Sequence, residues 1–192
     1  MIVLVVYAHP NPESFNHAVL ERFTAGLQAK NHEVEILDLY AQGFNPLLSA
    51  ADLASLQAGE TPADIQLQQA KVARAEGLAF LFPIWWSSMP AVLKGWIDRV
   101  FSLGFAYAFT EEGPVGLLKQ QKALLITTSG GDQAFFDHSG IQKAIQMTID
   151  LGIFGFSGIP KIQHEFFYNV VQIDPATREG YLQKAYSLGM EF

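Results

Sequence analysis

Four short apolar runs punctuate the chain: Ile2 to Tyr7, Glu33 to Asp38, Leu78 to Phe82 and Lys122 to Thr128. Each is separated from the next by a segment long enough for a helix, the pattern of repeated βαβ units and a parallel sheet. A fifth strand is expected near Lys161 to Phe167. Between the first two runs, Phe15 to Lys30 carries Val19, Leu20, Phe23 and Leu27 at helical spacing, so they share one face. A second helix is expected after Ser88, whose hydroxyl suits a cap, with Pro90 in the first turn where its missing N–H costs nothing. Its apolar stripe is Val92, Leu93, Trp96, Ile97, Val100 and Phe101. The pattern predicts further helices over Gln66 to Glu76, Ile141 to Leu151 and Thr177 to Leu188. A short one is expected around Ala51 to Gln57, inside the long connection Gly43 to Asp64.

Five parallel strands with alternating helices leave few topologies, because crossovers are right-handed and connections are short. The expected fold class is α/β, a flavodoxin-like five-stranded parallel sheet of order 2-1-3-4-5 with helices on both faces. Ligands in such sheets sit at the carboxyl ends of the strands, beside the switch point between strands one and three. The loops after Tyr7, Phe82 and Thr128 therefore carry the candidate chemistry. At 192 residues with 49% hydrophobic positions, the chain fits one domain, 1–192, with a substantial core. A net charge of -7 and no Lys/Arg cluster argue against nucleic acid as a partner. The absence of cysteine excludes a disulfide framework, a thiolate nucleophile and a cysteine metal cluster. No apolar run approaches the roughly 20 residues of a spanning helix, and a cytoplasmic protein is expected.

After the first strand comes Ala8-His9-Pro10-Asn11-Pro12-Glu13-Ser14-Phe15-Asn16-His17. It lacks both G-x-G-x-x-G and the P-loop pattern, which disfavours a dinucleotide-binding Rossmann unit and an NTPase. Ser14 is a capping residue, and the N–H groups of Phe15, Asn16 and His17 at the helix start would attract a phosphate, with His9 and Asn16 as side-chain donors and no Lys or Arg needed. An ordinary polar turn would read the same way. After the third strand, Pro83-Ile84-Trp85-Trp86-Ser87 sets two adjacent tryptophans in a proline-bracketed loop, suited to a planar ligand or equally to a hydrophobic lid or subunit contact. After the fourth, Thr127-Thr128-Ser129-Gly130-Gly131-Asp132 lets the backbone approach a ligand closely, although Gly-Gly-Asp also marks common turns.

Together these loops resemble the NAD(P)H:quinone oxidoreductase family of flavodoxin-like flavoproteins. The resemblance runs from about Met1 to Gly158. It is carried by Ala8-His9-Pro10 with Ser14-Phe15-Asn16, Phe82-Pro83-Ile84-Trp85-Trp86, the run Pro90 to Phe101, Phe105-Ala106-Tyr107, Gly113-Pro114 and Thr127-Thr128. It implies a flavin, FMN or FAD, with its phosphate held by His9, Ser14, Phe15 and Asn16 and its ring by Pro83, Ile84, Trp85, Trp86, Ser87, Thr127, Thr128, Ser129 and Gly130. It implies NAD(P)H as donor, a quinone as acceptor, ping-pong hydride transfer, and a homodimer in which Tyr107 and Phe109 enter the partner's substrate pocket. Azo or nitro compounds are alternative acceptors. Short bacterial members include an ancillary protein of a potassium-efflux system, which makes a membrane-transporter partner the alternative role.

The chain departs from the family where mammalian members place a Tyr and a His beyond the Gly-rich loop; the nearest positions here are Phe135 or Phe136 and Gln142. His138 stands close by as the candidate catalytic acid, with an ordinary surface histidine as the other reading. His17, His32 and His164 lack metal-ligand spacing. Asp98 and Arg99 are expected to brace a helix or a dimer.

Overall fold

The computed structural model describes residues 1–192. Strand β1 (Ile2–Tyr7) lies between β2 (Glu33–Asp38) and β3 (Gly77–Pro83), followed outward by β6 (Lys122–Thr128) and β7 (Ile162–Phe167), all parallel. The order β2-β1-β3-β6-β7 is the expected 2-1-3-4-5 once a separate hairpin, β4 (Tyr107–Thr110) with β5 (Gly113–Gly116), takes its place in the numbering. The hairpin was not foreseen. It is short and antiparallel, and it stands apart from the main sheet.

Side-chain alternation along the strands sorts the core onto two faces. Val3, Val5 and Tyr7 meet Val19, Phe23 and Leu27 of α1 (Phe15–Ala29) and Ala185 and Leu188 of α7 (Pro175–Glu191). Leu4, Val6, Phe80 and Phe82 face the other way. There they meet α3 (Ala63–Arg74), α4 (Ala91–Val100) and the segment formed by α5 (Gln133–Ser139), α6 (Ile141–Ile145) and a π-helix over Gln146–Gly155. A fully buried side chain such as Phe23 contributes roughly 1.5–3 kcal/mol, so each face is a substantial source of stability.

Two helix expectations are corrected. Helix α4 has Pro90 as its N-cap and no side-chain cap; Ser88 is instead closed into a tight turn, exchanging both backbone hydrogen bonds with Trp85 at 2.9 and 3.1 Å. Ile141 to Leu151 is not one α-helix. Its inward residues Ile145, Ile149 and Phe154 are spaced four and five apart, wider than an α-helical repeat, and the backbone answers with the π-helix. Helix α5, which the sequence pattern did not predict, is bounded by local signals: Asp132 accepts from the Phe135 N–H at 2.7 Å, and Gly140 ends it at φ 72.

Between β2 and α3, the long connection contains α2 (Ala50–Gln57), started by a capping box of Ser49 and Asp52. Buried Arg99 on α4 holds this segment down. Its guanidinium contacts Asp52 at 3.2 Å, Asp64 at 2.7 Å and the Asn45 carbonyl at 2.9 Å. Asp98 pairs with Lys94 on the exposed side at 2.6 Å. The bracing role expected of both residues is thus within this chain. No helix is long and apolar enough to cross a membrane.

Candidate flavin site

At the carboxyl ends of β1, β3 and β6 the loops enclose a cleft of about 400 Å³. Its lining contains His9, Ser14, Phe15 and Asn16 from the first loop, Pro83, Ile84 and Trp85 from the second, and Thr128, Ser129 and Gly130 from the third. Ser14 caps α1 by accepting from the His17 N–H at 3.2 Å. The N–H groups of Phe15 and Asn16 have no acceptor within the protein, so the positive end of α1 opens onto the cleft with donors free. Asn16 is buried, and its amide donates to Thr128 Oγ1 at 2.5 Å, tying the first loop to the third. Its Oδ1 is buried without a partner. An orphaned acceptor and free helix-end donors beside an aromatic wall are what a phosphate joined to a hydrogen-bonding planar ring would satisfy. The residues present therefore fit a flavin.

His9 Nδ1 lies 3.1 Å from the backbone of Asn11, and its ring packs 6.1 Å from Trp85. The loop thus holds its own histidine against the tryptophan wall. Tyr7, below it, is held protonated: burial, with Asp38 adding, pushes its phenol above the usual range against the opposing hydrogen bond from Ser14.

Several expected site residues lie elsewhere. Thr127 faces away from Thr128, as neighbours on a strand must, and its hydroxyl meets His164 Nε2 at 3.0 Å. Trp86 and Ser87 form the exposed tip of the Trp85–Ser88 turn, both at left-handed φ (50 and 58), and neither lines the cleft. His138 sits in the last turn of α5 and is exposed; Phe136, two residues earlier, is the side chain that α5 buries, which turns His138 to solvent. Tyr107 and Phe109 stand on the outlying hairpin, edge to face at 5.8 Å, with Phe109 mostly exposed and neither in this chain's cleft.

A family model described as the flavodoxin-like fold matches residues 1–188. An NAD(P)H oxidoreductase of Haemophilus influenzae is 33% identical over 183 residues, covering 95% of this chain and 91% of that one. NAD(P)H dehydrogenase [quinone] 1 of Cavia porcellus is 32% identical over 195 residues, covering 91% of this chain and 71% of the relative. The chain belongs to the flavodoxin-like NAD(P)H:quinone oxidoreductase family. Among solved structures, an NAD(P)H:quinone oxidoreductase from Methanothermobacter marburgensis superposes with a TM-score of 0.89 at 33% identity, covering 99% of this chain and 98% of that one.

Two features of the site were not read from the sequence. Arg178 lines the cleft, its guanidinium 4.7 Å over the Phe15 ring, which corrects the expectation of a site without a cation. Its local signal was present, since Asp174 and Pro175 mark the start of α7, but the docking of α7 beside α1 is a tertiary fact. The second lies around Phe136 and Gln142, positions that the sequence reading singled out. Tyr168 donates to Gln142 Oε1 at 2.5 Å and packs edge-on to Phe136 at 5.4 Å. Burial, with nearby Asp137, Tyr181 and Glu165, pushes Tyr168 up to about 12, so the hydroxyl keeps its proton.

Proposed function

We propose that this protein is a flavin-dependent NAD(P)H oxidoreductase that reduces quinones. The observation that carries the reading is the cleft itself. Free N–H donors of Phe15 and Asn16 and the Asn16–Thr128 link stand on one side, and the Ile84–Trp85 wall stands on the other, at the switch point of the sheet. When bound, the flavin supplies hydride acceptance from the reduced nicotinamide and two-electron delivery to the quinone, in alternation at one site.

The chain's own residues bind and orient. Helix-end donors and the Arg178 guanidinium take the phosphate charge. Pro83 and Ile84 give a stiff backbone edge, Ile84 N–H being bonded to the Thr128 carbonyl at 2.7 Å, so the second and third loops move as one. Ser129 Oγ donates to the Gly131 carbonyl at 2.8 Å, fixing the turn that presents backbone to the ring. The reading also takes the protein to be a homodimer, whose interface would cover exposed Phe109 and complete the acceptor pocket.

The test is the visible spectrum of purified protein, chromatography of the released cofactor, and NAD(P)H oxidation with and without benzoquinone. The expected result is a yellow protein whose oxidation of the nicotinamide depends on the quinone. A protein that stays colourless after incubation with FMN and FAD overturns the reading.

A further inference from the structure

At the far end of the sheet from the flavin cleft, the first residues of β6 and β7 and the last turn of α7 enclose a second cavity of about 390 Å³. That volume lies in the range of small-molecule sites, roughly 300–1,000 Å³. It shares no lining residue with the flavin cleft. Strand β6 starts here at Lys122 and delivers Thr128 to the cleft; six residue steps of roughly 3.3 Å set the two sites about 20 Å apart.

The floor and one wall are apolar. Leu124, Leu188 and Phe192 belong to the core on the α1–α7 face of the sheet, and each also borders the cavity. The Phe192 ring is seated on Gly77, where an added Cβ would stand 2.7 Å from it. The rim is cationic. Lys122 and Lys161 both line the cavity and neither is ion-paired, whereas Lys71, Lys94 and Lys184 each meet a carboxylate. The Lys122 ammonium lies 4.1 Å over the Phe192 ring, a contact that positions it and leaves its charge unneutralised. Burial, with the Lys161 charge adding, holds Lys122 below the usual lysine range. Two mutually repelling cations without a counter-ion, in a chain of net charge -7, are matched by an anion. Exposed Glu191 also borders the cavity, so a dianion such as phosphate meets repulsion there that a single charge seated between the lysines does not.

We propose that this cavity binds an aliphatic monocarboxylate of medium chain length, its head between Lys122 and Lys161 and its chain along Leu124, Leu188 and Phe192. Burial of the methylenes supplies the affinity, and the lysine pair selects for charge. The ligand is neither cofactor, hydride donor nor acceptor, and its site is complete within one chain. The inference stands whether or not the flavin reading does.

The experiment titrates the protein as purified, by calorimetry, with octanoate and with octanamide, in wild type, Lys122→Met, Lys161→Met and Lys143→Met. Lys143 is exposed on α6, on the opposite face of the sheet, so its variant makes the same change in net charge away from the cavity. Octanoate is expected to bind at one site per chain, and the neutral amide of the same length at least roughly tenfold more weakly. Lys122→Met and Lys161→Met should each weaken octanoate by about tenfold, while Lys143→Met leaves it within about twofold. Thermal melts confirm folding, and should one lysine variant fail to fold, the other carries the test. No octanoate binding, equal binding of octanoate and octanamide, or binding indifferent to both Lys122 and Lys161 overturns the proposal. Such indifference combined with competitive inhibition of benzoquinone reduction would put octanoate in the acceptor pocket instead.

Discussion

His164 Nδ1 lies 2.8 Å from the Asp150 carboxylate, while its other ring nitrogen lies 3.0 Å from the Thr127 hydroxyl. With Nδ1–H donating to the carboxylate, the lone pair at Nε2 accepts a hydrogen bond from the Thr127 hydroxyl, so one tautomer satisfies all three groups. The π-helix is what delivers Asp150 to this position. Asp150→Ala strands a buried ring donor, an expected loss of about 1–3 kcal/mol. Urea denaturation should show a lower midpoint at unchanged slope.

Arg99 and Asp52 form a second buried ion pair on the same face of the sheet, their side chains 5% and 12% exposed. Arg99→Met leaves Asp52 underground without its cation and is expected to cost about 3–5 kcal/mol. The Asp52 carboxyl is held below the usual range by the Ser49 N–H, with Arg99 adding, against the opposing effect of burial. A depressed carboxylate stabilises above its unfolded pKa, about 3.9, and that contribution drains away as pH falls through the lower folded value. Asp52→Asn should therefore lower the melting temperature most at neutral pH and progressively less below about pH 4.

Trp86 and Ser87 both occupy left-handed backbone at the tip of the Trp85–Ser88 turn, where a two-residue connection favours Asn-Gly. Ser87→Gly should stabilise the fold by about 1 kcal/mol, seen as a raised melting temperature. Trp86→Ala tests the expectation that put this side chain among the ring-binding residues: because it stands exposed and outside the cleft, flavin content and quinone reduction should stay near wild type, and a clear loss of either would return Trp86 to the site.

Helices α1 and α7 approach through Gly26 and Gly189. A Cβ on Gly189 would stand 2.2 Å from the Phe23 carbonyl oxygen, whereas one on Gly180 would meet open space. Gly189→Ala is expected to lose about 1–3 kcal/mol by forcing the helices apart. Because α7 also carries Arg178, the same variant should weaken flavin retention. Gly180→Ala, by contrast, should gain up to about 1 kcal/mol. Parallel thermal melts and flavin content of the two variants separate packing from propensity.

The main sheet was legible because Ile2 to Tyr7, Leu78 to Phe82 and Lys122 to Thr128 are continuous apolar runs, the mark of strands covered on both faces. The geometry of the first loop was legible because its determinants are local: a cap, a helix end and two prolines. What escaped was tertiary. His164 meets Asp150 only through a π-helix that no ordinary periodicity announces, and Arg178 reaches the cleft only because α7 packs along α1. Thr127 looked like a site residue for a local reason as well, since its neighbour Thr128 lines the cleft; strand alternation sends the two hydroxyls to opposite sides of the sheet.

The three tryptophans occupy three different surroundings: Trp96 is fully buried, Trp85 is 41% exposed against His9, and Trp86 stands wholly in water. Their emission should therefore divide into separable parts. Trp96 would report only on unfolding, Trp85 on arrival of a quenching ring in the cleft, and Trp86 on whatever surface comes to cover the turn. The chain thus carries three optical reporters, one in the core, one in the cleft wall and one on the surface, readable without a label.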